Sequence, residues 1–186
     1  MSLKEQQNLL AKLYTDAEFR RAFLSEPEKI GVESGLSADE IREIAEIMPE
    51  ELHFFADSLV WKRLGEAEKF LPLTRRVLGE DFTGNFREFS QTYNPRTVKK
   101  HFEDALAFCR FLQTRKIPGP AKCAAKFEAA KLEFFGFEKR IAVCRLDYDV
   151  RSFSGAHANP AAENHEKTKK IAVWLRTGKR IRHFFI

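Results

Sequence analysis

The chain has 186 residues, 44% hydrophobic and 32% charged, with a formal net charge of +5. That composition excludes a disordered chain, and no run approaches the ~20 apolar residues of a membrane span. The three Cys (Cys109, Cys123, Cys144) are odd in number and far apart, so they make no disulfide framework. They fit a reducing compartment, and the opening Met-Ser-Leu-Lys-Glu-Gln-Gln has no signal-type apolar stretch; the expected location is the cytoplasm. The charge is segregated. Residues 1–60 carry 6 Lys+Arg against 13 Asp+Glu, and residues 61–186 carry 26 against 14. Phe is overused, at 18 residues against 3 Tyr and 2 Trp. Each buried ring removes ~150–250 Å² from water, so few residues can build a large core.

Helix-start signals organise the first 70 residues. Thr15-Asp16-Ala17-Glu18, Ser25-Glu26-Pro27-Glu28 and Ser37-Ala38-Asp39-Glu40 each read as a capping box, a hydroxyl followed three residues later by a carboxylate. They predict helices near 3–14, 16–24 and 38–47, with a helical turn at 26–30. Gly31 and Gly35 suit left-handed terminating positions. Pro49 opens a long helix to residue 70, with Leu52, Phe55, Ala56, Leu59, Leu64, Ala67 and Leu71 on one stripe. Pro72 breaks it, and residues 73–78 continue for a turn or two up to Gly79. A short helix near 83–91 carries Phe86 and Phe89. Another, at 96–114, carries the stripe Val98, Phe102, Ala105, Cys109 and Leu112. Pro118-Gly119-Pro120 is a firm break, and a helix at 120–135 follows.

After Gly136 the pattern turns to period two. A strand is expected over 141–150, with Ala142, Cys144, Leu146, Tyr148 and Val150 on one face. Residues 152–168 read as a loop. Strands at 170–176 and 180–185 flank a turn at Thr177-Gly178-Lys179. Helices first and strands last make an α+β fold: a helical part over 1–117, then a helix and a three-stranded antiparallel sheet over 118–186, packed as one unit.

No motif names a chemistry. No P-loop, G-x-S-x-G or H-E-x-x-H is present. His157 and His165 share a loop with Glu163 and Glu166, but the spacing matches no common ligand pattern, and no metal or cofactor is expected. Cys109 and Cys144 read as small core residues. Cys123 begins a helix, whose positive end can lower a thiol pKa, so a site assembled from His101, Asp104 and Cys123 is one reading open to the sequence. The more informative region is 167–182. Its basic residues are Lys167, Lys169, Lys170, Arg176, Lys179, Arg180 and Arg182, with no carboxylate among them. Alternation puts Arg180 and Arg182 on one face, and Trp174 with Arg176 on one face of the preceding strand. A tight hairpin that gathers Arg176, Arg180 and Arg182 beside an aromatic ring suits an acidic peptide, phosphates or stacked bases. A solvated outer face that uses Lys and Arg to discourage edge pairing explains the same residues.

Two stretches resemble known bacterial sequences. Leu13-Tyr14-Thr15-Asp16-Ala17-Glu18-Phe19-Arg20-Arg21-Ala22-Phe23-Leu24-Ser25-Glu26-Pro27, followed by Gly35-Leu36-Ser37-Ala38-Asp39-Glu40, is similar to segments in the small helical subunits of extradiol dioxygenases and in leader regions of modified ribosomal peptides. It covers residues 10–48 and carries no catalytic group. Phe70-Leu71-Pro72-Leu73-Thr74-Arg75-Arg76-Val77-Leu78-Gly79, with His101-Phe102-Glu103-Asp104-Ala105-Leu106, resembles an uncharacterised bacterial helical family. Some of its relatives look like accessory proteins of iron-dependent peptide-modifying enzymes, and that resemblance implies a small sheet whose edge docks a peptide. The expected function is therefore a non-catalytic accessory or adaptor protein. It would bind an acidic peptide or protein through Lys169, Lys170, Trp174, Arg176, Lys179, Arg180 and Arg182. Nucleic-acid binding through the same hairpin is the alternative, and the small enzyme the third.

Overall fold

A computed structural model describes residues 3–47, 49–95, 99–154 and 166–186. The fold is α+β: helices, then a C-terminal antiparallel sheet. The chain forms two compact units, Met1–Lys62 and Arg63–Ile186. The division lies inside a helix, not at the 117/118 break expected from Pro118-Gly119-Pro120. That break sits within the second unit, because the helices on either side of it pack against each other.

The first unit holds α1 (Leu3–Thr15), α2 (Ala17–Ser25), α3 (Pro27–Glu33), α4 (Ala38–Ala45) and the start of α5 (Pro49–Phe70). Leu9, Leu13, Phe23, Leu36, Ile41 and Ile44 form its core. Of the three expected capping boxes, the one at α4 is present: Ser37 and Glu40 satisfy each other's backbone N–H. At α2 the cap is Asp16, which accepts from the N–H of Glu18 and Phe19, while Thr15 donates back to the Ala11 carbonyl at 2.7 Å. At α3 the cap is Glu26, with no side-chain hydrogen bond, and Pro27 opens the helix. Gly35 takes φ 83° as expected, but Gly31 lies inside α3. A Cβ there would meet Ile41 at 2.4 Å, so close approach of α4 requires the glycine.

The second unit continues from Arg63 through α6 (Pro72–Leu78), α7 (Asp81–Thr92), α8 (Lys100–Thr114) and α9 (Gly119–Gly136) to β1 (Ile141–Leu146), β2 (Lys170–Thr177) and β3 (Arg180–Phe185). Residues 96 to 98, the expected start of α8 with Val98, lie outside the described residues. Phe82, Phe86 and Phe89, one face of α7, surround Phe108 of α8 with centroids 5.1–5.4 Å apart. These tilted and edge-on contacts add to the area that the rings bury.

Buried charges in this core have partners. Asp104, fully buried, accepts two hydrogen bonds from Arg63, at 2.7 and 3.1 Å, and Arg63 also donates to the Tyr93 carbonyl. Glu128 of α9 accepts from the N–H groups of Leu73 and Thr74 and from the Thr74 hydroxyl, and so supplies the N-terminal cap that α6 lacks in its own sequence. Burial raises the Glu128 pKa, and these three bonds oppose the rise.

The sheet order is β1-β2-β3. Gly178, at φ 60°, begins a two-residue turn that joins β2 to β3; Lys179 keeps a negative φ, the pattern of a type II′ hairpin. The strand expected over 141–150 stops at Leu146. Asp149 turns the chain by accepting from the Arg151 N–H, and its carbonyl accepts from Ser152. That turn drops Val150 and Phe153 into the core.

Candidate binding surface on the C-terminal sheet

Strand alternation and register divide the sheet's side chains between two faces. On the inner face, Ala142 lies opposite Trp174, and Cys144 opposite Ala172. Across the hairpin, Trp174 lies opposite His183 and Ala172 opposite Phe185. This face packs on α9. Phe127 lies 5.2 Å from Trp174 and stacks on Phe185 at 5.9 Å, while Trp174 and His183 stack at 4.7 Å. Burial lowers the His183 pKa, and nearby Lys131 adds to the effect. Small residues at 142, 144 and 172 let α9 approach closely.

Most of the bulky β-branched residues are therefore on the other face, Ile181 excepted. Ile141, Val143, Ile171, Val173, Leu175 and Phe184 share it with Arg145, Arg180 and Arg182. Ile141 and Val143 are each 57% exposed, and Phe184 is 41% exposed. Among the described residues, the helix the sheet packs on is α9, on the inner side. Exposed apolar residues bordered by guanidinium groups mark interaction sites.

Among the described residues, both outer strands also have a free edge. Ile171 and Ile186 exchange two backbone hydrogen bonds of 2.9 Å. Bonded pairs alternate along an antiparallel ladder, so the main-chain groups of Ile181, His183 and Phe185 turn away from β2. Arg176 and Arg140 mark a bonded position on the other side, where the N–H of Arg176 reaches the Arg140 carbonyl at 2.8 Å. By the same alternation, Ile141, Val143 and Arg145 present main-chain groups to the free edge of β1.

The residues expected to bind as one set are divided by the sheet. Arg180 and Arg182 share the outer face, as alternation predicted, and Lys179 is exposed in the turn beside them. Lys169 is exposed just before β2, and Lys170 is half-buried opposite Leu146. Trp174 is 2% exposed and belongs to the inner core. Arg176 lies on that inner side too, with its guanidinium 5.2 Å from the Phe134 ring and its Nε donating to the Lys139 carbonyl. The expected aromatic beside Arg180 and Arg182 is thus Phe184, not Trp174. Within their own unit, and among the described residues, Arg180 and Arg182 have no ion-pair partner. Arg145, Val143 and Ile141 escaped the sequence reading, which followed the Ala142–Cys144–Leu146 face; the complementary set was legible as alternating β-branched residues next to an Arg.

The residues of the enzyme reading do not converge. Asp104 is held by Arg63. Gln113 of α8 donates to the Lys122 carbonyl at one end of the α8–α9 pair, while Phe102 packs over Gly136 at the other. His101 and Cys123 therefore occupy opposite ends. Burial raises the Cys123 pKa, so the helix end leaves the thiol protonated at neutral pH. Among the described residues there is no cluster of His, Cys, Asp or Glu that could hold a metal; His157, Glu163 and His165 lie outside them, and Glu166 is exposed. No helix among the described residues is long and apolar enough to cross a membrane. The chain matches no protein-family model, and no curated protein matches it.

Proposed function

We propose that this is a non-catalytic accessory or adaptor protein whose C-terminal sheet docks an acidic peptide or protein partner. The observation that carries this reading is the outer sheet face, where exposed Ile141, Val143 and Phe184 lie among Arg145, Arg180 and Arg182. An extended peptide with alternating apolar and acidic residues would match it. Main-chain bonds to the free β3 edge would supply affinity, and the guanidinium groups would select carboxylates. Residues 70–79 and 101–106 resemble an uncharacterised bacterial helical family, some of whose relatives look like accessory proteins of iron-dependent peptide-modifying enzymes, which is in keeping with a peptide ligand. Nucleic acid fits less well. The outer face offers one exposed ring, Phe184, where a stacking platform for successive bases needs several, and Trp174 is buried on the inner face.

The test is fluorescence anisotropy with a labelled peptide of alternating Val and Glu, run beside a Val–Lys peptide and a single-stranded oligonucleotide. Saturable binding of the Val–Glu peptide is expected. Loss of two exposed charge contacts in Arg180→Ala/Arg182→Ala should weaken it about tenfold or more. Equal binding by the variant, or a preference for the oligonucleotide at low salt, would overturn the reading.

A further inference from the structure

A second feature lies beside the sheet, where the free edge of β1 meets α8 and α9. It is an open cleft of about 570 Å³, within the size range of small-molecule sites. Its wall on α9 is a single helical face, Lys126, Ala129, Ala130 and Glu133; α8 contributes Cys109, Arg110 and Gln113; β1 contributes Val143, Cys144 and Arg145.

The chemistry of the lining is divided. The floor is apolar: two alanines, a valine and two thiols. Burial holds both thiols protonated at neutral pH, with Cys144 pushed up to about 11 and Cys109 raised well above its ordinary value. They act as small apolar groups and not as nucleophiles. The rim is cationic. Glu133, its one carboxylate, is engaged by Lys139 at 2.7 Å and Arg110 at 3.1 Å. Lys126 and Arg145 are exposed and, within their unit and among the described residues, have no carboxylate partner. Two uncompensated cations therefore stand over an apolar floor.

We propose that this cleft binds a small organic anion with an apolar body, its carboxylate held by Lys126 and Arg145 and its hydrocarbon part lying on Ala129, Ala130 and Val143. The site does not depend on the docking of a peptide by the outer face, although Arg145 borders both.

The probe is hexanoate, titrated into the ¹⁵N-labelled full chain with 1-hexanol as the uncharged control. Saturable amide shifts are expected at Ala129, Ala130 and Val143–Arg145, at millimolar concentrations or below. Lys126→Gln and Arg145→Gln should each weaken hexanoate about tenfold, and 1-hexanol should bind the wild type no better than those variants bind hexanoate. Ala130→Leu, which fills the floor, should abolish the shifts. Arg180→Ala/Arg182→Ala should bind hexanoate like the wild type, and Lys126→Gln should bind the Val–Glu peptide like the wild type, so either proposal can fail without the other. No saturation, hexanoate binding unaffected by Lys126→Gln, or shifts centred on Val173 and Phe184 would overturn the assignment.

Discussion

The two faces of the C-terminal sheet come from the same three strands and obey opposite rules. The inner face carries small residues and aromatics, packed on α9, and buried charges elsewhere in the unit find partners: Asp104 in Arg63, Glu128 in Thr74 and the start of α6. The outer face carries larger aliphatics, of which Ile141 and Val143 are exposed, and among the described residues of the unit Arg180 and Arg182 have no ion-pair partner. Packing on α9 accounts for Cys144, Ala172 and Trp174 on the first face, and it leaves Ile141, Val143 and Phe184 on the second exposed. What folding does not use is the part available for recognition, which is why the binding proposal rests there.

Stability measurements can break or sharpen that contrast. Trp174→Ala removes the ring between Phe127 and His183 and should cost about 3–5 kcal/mol in chemical denaturation. Phe184→Ala on the opposite face should cost less than about 1 kcal/mol. If the two costs were similar, the outer face would be part of the core and the contrast would collapse. Asp104→Ala leaves the guanidinium of Arg63 with the Tyr93 carbonyl alone and should cost about 3 kcal/mol; a neutral result would mean that the pair does not support the α5–α8 packing.

The smallest effect is a pH dependence at His183, on the inner face. The folded state lowers the His183 pKa below its ordinary 6.5, chiefly through burial. The unfolded chain then binds the proton more readily, so wild-type stability should fall as pH drops through about 6.5. His183→Phe keeps the stack on Trp174 without the titration. Its denaturation midpoint should therefore decline less than that of the wild type between about pH 7.5 and pH 5.5. Parallel curves would place the ring in water.

Much of the architecture was legible in local chemistry. Pro49, Pro72 and Pro118-Gly119-Pro120 mark helix boundaries because proline lacks an N–H and fixes φ. Period-two alternation after Gly136 identifies the strands, and Gly178 marks the hairpin. The caps are less legible. Thr15, Asp16, Ser25 and Glu26 are adjacent candidates, and only the geometry of the turn selects the acidic residue of each pair as the cap. Gly31 looks like a terminator in the sequence, because nothing local reveals that Ile41 packs against it.

The candidate site shows the same limit. Alternation alone placed Arg180 and Arg182 together and Trp174 with Arg176, since side-chain direction along a strand is a local property. Which of those faces met a helix was not local. It depended on α9 presenting Phe127 to Trp174 and on small residues at 142, 144 and 172 permitting the approach. Sequence by itself determined the order of helices and strands, the turn and the parity of each strand. The tertiary structure decided which parity is core and which is surface, because burial is settled by the partner that packs against a face and not by the face alone.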